Sequence, residues 1–159
     1  MHSFLTQFYH WCSHTWIGTT LAKSAWAFAA IETVHIVGLT VLLGSALVLH
    51  LSILGVGLKK PAELAKDVMP YLFGGLAIML TTGIPMFMSS PTYYAPNPAF
   101  RIKMSLLLLA IVLEVAILTT PALYKETLLG KVTALVTLLC WFAVAYAGRA
   151  IAFPNLFGF

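Results

Sequence analysis

The sequence predicts an all-α fold: a four-helix transmembrane bundle with an interfacial N-terminal helix. Three observations lead there. Hydrophobic residues make up 60% of the 159-residue chain and charged residues only 9%, whereas a soluble domain carries about 25% charged residues. The mean hydropathy is +0.94. Four apolar stretches come close to or exceed the roughly 20 residues that cross a hydrocarbon core. At this length one domain is expected, an integral membrane domain over residues 1–159. So little charge argues against a soluble enzyme, and equally against a disordered chain. The nine Lys and Arg stand between apolar runs and form no stripe, so no nucleic-acid partner is expected.

The elements follow in order. Over residues 3–22, Phe4, Phe8, Trp11 and Trp16 predict a short helix lying at the membrane interface. This stretch lacks a Lys/Arg-rich start, and no A-x-A site follows a short apolar core, so it reads as mature chain. The first span is predicted at about 26–58, before Lys59-Lys60-Pro61. It is longer than a bilayer needs and should tilt or protrude. The second is predicted at about 70–88. Pro70 suits its start, Gly74, Gly75 and Gly83 suit close helix contact, and Pro85 suits a kink. The third, about 103–120, stops before Pro121, and the fourth, about 131–153, stops before Pro154. The connectors are then 59–69 (charged), 89–100 (rich in Pro and Tyr) and 121–130. Cys12 and Cys140 fall at different expected depths and form no CxxC or CxxCH, so neither a disulfide nor covalent haem is expected.

Ionisable groups inside a membrane are costly and mark function by default. The spans hold Glu32, His35, His50, Glu114 and Arg149. Glu32 and His35 are three apart, on one helix face. A di-iron bundle needs this E-x-x-H twice, and it occurs here once. Two readings stay open for His35. It can be an axial haem ligand with Glu32 beside it, or a core histidine hydrogen-bonded to an acid such as Glu32 or Glu114. His50 lies fifteen residues further on. That is about 60° around the helix and about 22 Å along it, so the two histidines cannot share a haem but could ligate two stacked haems. The later spans contain no histidine. A second ligand would come from Met86, Met88 or Met104, from His10 or His14, or from another subunit. Arg149 should lie level with Glu32 and His35, where it can pair with Glu32 or hold a haem propionate. Tyr146 stands three residues before it, on the same expected face. The internal methionines fit apolar filling better than Cu(I) binding. No G-x-S-x-G, P-loop or H-E-x-x-H occurs, which argues against a self-contained hydrolase or ATPase.

The stretch SAWAFAAIETVHIVGLTVLLGSALVLHLSILG (24–55), with NPAFRIKMSLLLLA (97–110) and AGRAIAF (147–153), resembles an uncharacterised family of small bacterial four-helix integral membrane proteins. More distantly it resembles the CopD-like and HemJ-like membrane proteins, which are associated with haem or copper. On the matching positions the resemblance implies functional roles for Glu32, His35, Lys103 and Arg149. The chain departs from the family pattern at Thr119, where a His is frequent, and at His50, where an acid is frequent.

The functional expectation is a haem-b electron-transfer protein, or a haem-bearing anchor subunit of a redox complex. His35 and His50 would be metal ligands, with Arg149, Glu32, Met86 and Tyr146 around the cofactor. The alternatives are a cofactor-free accessory subunit and a CopD-like metal-handling transporter. Expected partners are the lipid bilayer, further copies of the chain, and a membrane or periplasmic redox protein. Five Lys on one side (Lys59, Lys60, Lys66, Lys125, Lys131) stand against four cations on the other (Lys23, Arg101, Lys103, Arg149). That bias places both termini on the periplasmic side of the bacterial inner membrane.

Overall fold

The computed structural model describes residues 2–56, 60–124 and 127–152. All regular structure among them is helical: α1 (His2–His14), α2 (Trp16–Lys23), α3 (Ala25–Ile53), α4 (Pro61–Ser89), α5 (Pro91–Tyr94), α6 (Pro98–Thr119), a 3₁₀ turn (Pro121–Tyr124) and α7 (Leu128–Ala152). By length and composition, α3, α4, α6 and α7 can each cross a membrane. The chain is therefore all-α, with four spanning helices and a helical N-terminal lead.

The caps set the boundaries and explain where they depart from expectation. The interfacial stretch forms two helices. Thr15 adopts an extended conformation, and its hydroxyl accepts the Gly18 N–H at 3.1 Å, which starts α2. Ser24 caps α3 in the same way through Ala27. The first span ends at Ile53, short of 58, because Gly55 takes φ 92° and stops the helix; residues 57–58 lie outside the described residues. The second span starts at Pro61, so most of the connector expected at 59–69 is helix. Pro61 occupies the first turn, Glu63, Lys66 and Asp67 point outward, and Pro70 is carried inside the helix. Asn97 accepts the N–H groups of Ala99 and Phe100, which starts α6 at Pro98 and not at Lys103. Within the expected 89–100 connector, Pro91–Tyr94 is also helical. α7 begins at Leu128, and the expected end at residue 153 lies outside the described residues.

Three sides of the bundle are closed. α3 packs on α4, α6 packs on α7, and α3 packs on α7. The α4 and α6 backbones hardly approach each other; Phe87 stacks on Phe100 across them with ring centroids 5.5 Å apart, and the rest of the fourth side is open. The central core holds Leu42, Leu72, Met79, Ala110, Trp141 and Val144. α1 and α2 lie against α4, with Trp11 and Trp16 exposed as an interfacial segment requires. Cys12 and Cys140 are both buried and free.

Small residues make the α3–α4 contact close. A Cβ on Gly75 would stand 2.7 Å from the Leu42 backbone nitrogen and 2.8 Å from the Gly38 carbonyl oxygen. Gly74 and Gly44 meet nothing within 4 Å. Gly75→Ala should therefore cost about 1–3 kcal/mol through forced separation of the two helices. Gly74→Ala and Gly44→Ala should be neutral or slightly stabilising. Thermal unfolding of the three variants in detergent checks this.

Candidate ligand-binding site

Antiparallel α3 and α7 bring the start of one level with the end of the other. A cavity of about 310 Å³ opens there, with Glu32, His35, Met86, Tyr94, Lys103 and Arg149 on its walls. Five residues singled out from sequence thus share one space. Tyr146 does not: it is 63% exposed and lines no cavity. Three residues make less than a full helical turn. The cavity side of α7 is the row Ala145, Gly148, Arg149 and Ala152, and Tyr146 falls off its flank.

His35 is held by α4, not by an acid. Its Nδ1 lies 2.8 Å from Thr82 Oγ1. The Thr82 hydroxyl donates to the Ile78 carbonyl, so at its oxygen it accepts the His35 Nδ1–H. The neutral ring is therefore the Nδ1–H tautomer, and Nε2 keeps its lone pair. Gly83 makes room for the ring, since a Cβ there would stand 3.3 Å from His35 Cε1. Sequence reasoning missed Thr82 altogether and read Gly83 only as a packing glycine. The signal available was a Thr-Gly pair in an apolar helix.

Lys103 reaches across to α7, where a Cβ on Gly148 would stand 3.4 Å from its Nζ. At the cavity mouth sits Tyr94, outside the spanning helices. Burial, with Tyr93 and Glu32 adding, holds its phenol above the ordinary tyrosine value. A second cavity of about 440 Å³ lies in the open side between α4 and α6, and it shares His35, Met79 and Lys103 with the first.

His50 belongs to neither cavity. It is fully buried toward the opposite end, its Nδ1–H donated to the Ala46 carbonyl. Its Nε2 lies 3.5 Å from Glu114 Oε2, which accepts the Trp141 Nε1–H at 2.9 Å. Glu114 Oε1 is buried without a hydrogen-bond partner. The acid partner considered for His35 thus serves His50. His10 and His14 stack on the surface of α1 with ring centroids 3.9 Å apart. Among the described residues no three His, Cys, Asp or Glu side chains gather as metal ligands.

Fold and site together define a multi-pass helical membrane protein with four helices long and apolar enough to span, and a mixed polar and apolar cavity near one end of the bundle. Residues 8–154 match the model of the Family of unknown function (DUF6644), and the chain belongs to that family. No curated protein and no solved structure matches it.

Two outcomes follow from this geometry. Glu114→Ala leaves the buried Trp141 N–H without its acceptor, and should cost about 1–3 kcal/mol. Glu114→Gln keeps an acceptor for Trp141 and should cost less; thermal unfolding compares them. For Tyr94, the folded state holds the phenolic proton more tightly than the unfolded state. Its contribution is present below the ordinary tyrosine pKa and is lost as pH rises through the higher folded value. Tyr94→Phe should flatten that alkaline loss of stability, read from melting temperature against pH.

Proposed function

We propose that this protein is an integral membrane haem-b protein that carries electrons, alone or as the haem-bearing anchor of a redox complex. The observation that carries the reading is the state of His35. Haem-ligating histidines offer one ring nitrogen to iron and donate the other N–H to a fixed acceptor. His35 fits that arrangement: its Nδ1–H is given to Thr82, which leaves Nε2 unprotonated, and the residue lines the cavity.

The other walls suit the same group. Arg149 supplies a guanidinium for a propionate, and Met86 brings a thioether to the same space. Phe28, Ile36 and Leu39 keep water from the rest of the cavity. Haem bound there supplies reversible one-electron transfer, and the protein contributes ligation, charge and a dry surround. Because His50 is fully buried against Glu114 and lines neither of the two cavities, the reading is for one haem, not two stacked ones. The Lys/Arg bias supports a bacterial inner membrane with both termini on the periplasmic side.

Protein purified in detergent from haem-replete cells should give a b-type reduced-minus-oxidised spectrum and one haem per chain by pyridine haemochrome. His35→Ala should abolish the Soret band, and His50→Ala should leave it in whatever protein folds. A colourless wild-type protein, or full haem content in His35→Ala, overturns the reading.

A further inference from the structure

The open side of the bundle carries a second cavity, which meets the first at His35, Met79 and Lys103. The α4 and α6 backbones hardly approach each other, Phe87 and Phe100 stack across one end, and the groove between the helices is lined also by Leu76, Leu80, Ile84 and Met104. Leu80, Ile84 and Met104 are exposed at its rim, where the bilayer would lie. At its inner end the apolar lining stops at Lys103 and His35.

Lys103 is the informative residue. It sits five residues inside α6, about 7.5 Å below the helix start, and its side chain points into the bundle. It makes no hydrogen bond or ion pair among the described residues. Arg101, two residues nearer the helix start, is by contrast exposed and donates to the Ala95 carbonyl. An ammonium held inside a spanning segment costs a few kcal/mol unless a counter-charge meets it.

We infer that the α4–α6 groove takes an amphiphile from the bilayer, a hydrocarbon chain with an anionic carboxylate or phosphate head. The chain enters sideways between α4 and α6, and the head pairs with Lys103. The groove volume of about 440 Å³ accommodates the part of one chain nearest the head. The inference rests on Lys103 and the open helix pair, and needs no iron.

The test uses the full chain in phosphatidylcholine nanodiscs with photoactivatable palmitic acid, the matching hexadecanol, and photoactivatable lysophosphatidic acid. Cross-linked peptides are mapped by mass spectrometry. An anionic probe should label segments 76–87 and 100–107. The alcohol should label them at least about tenfold less, the equivalent of one charge-assisted contact. Lys103→Met should lower anionic labelling by a similar factor, Lys103→Arg should retain it, and Ile84→Trp should block it by filling the groove. Labelling by palmitic acid identifies a free fatty acid as the source, and labelling by lysophosphatidic acid alone identifies a phospholipid head. Equal labelling by acid and alcohol, no difference between Lys103→Met and Lys103→Arg, or scattered labelling overturns the inference. The haem spectrum is read separately in each variant, so loss of one site is distinguishable from loss of the other.

Discussion

A polar group inside a spanning helix is costly, and in this protein the buried polar contacts between helices converge on Glu114, which has one oxygen hydrogen-bonded and the other not. Its Oε2 accepts the Trp141 N–H from α7 and faces His50 Nε2 from α3. α3 and α6 otherwise have little contact, because each packs mainly on its own hairpin partner. One buried carboxyl therefore adds a polar tie between the two hairpins to the packing of α3 on α7. Hydrophobic packing cannot do this with the same specificity, since lipid tails are as apolar as Leu and Val and give helices no reason to choose one another.

That tie makes the two ends of the bundle different. Toward the His50 end the interior is filled by Leu49, Ile53, Ala65, Ile117 and Ala134. Toward the other end the helices leave a cavity and an open side, and the polar side chains there face space. The two span histidines show the contrast. His50 gives its Nδ1–H to its own helix and turns its other nitrogen to an acid. His35 gives its Nδ1–H to a neighbouring helix and lines the cavity with its other nitrogen unprotonated. The same side chain closes one end and equips the other.

Much of this was legible in the sequence because apolar length and intramembrane charge are strong signals. The four spans were found, and Glu32, His35, Met86, Lys103 and Arg149, singled out separately, line one cavity. The helix starts were less legible. Pro70 looked like a beginning, but Pro61 had already supplied one, and Ala, Glu, Leu and Lys between them favour helix. Which acid meets which histidine was not legible either. Glu32 lies one turn from His35, yet the ring turns to Thr82, and Glu114 reaches His50 only because antiparallel pairing sets their depth. Such pairings depend on helix rotation, which a pattern with almost no amphipathic asymmetry in α3 and α6 does not encode.

The central claim is that His35 presents an unprotonated Nε2 to the cavity because Thr82 holds its Nδ1–H. The most direct measurement is NMR of isotopically labelled histidine ring nitrogens in membranes, with His35 assigned through its own variant. The account predicts an Nδ1–H tautomer for His35, with a pyridine-like Nε2 resonance that weakens in Thr82→Val as the tautomer loses its anchor. An Nε2–H tautomer, or a His35 signal indifferent to Thr82, would contradict it.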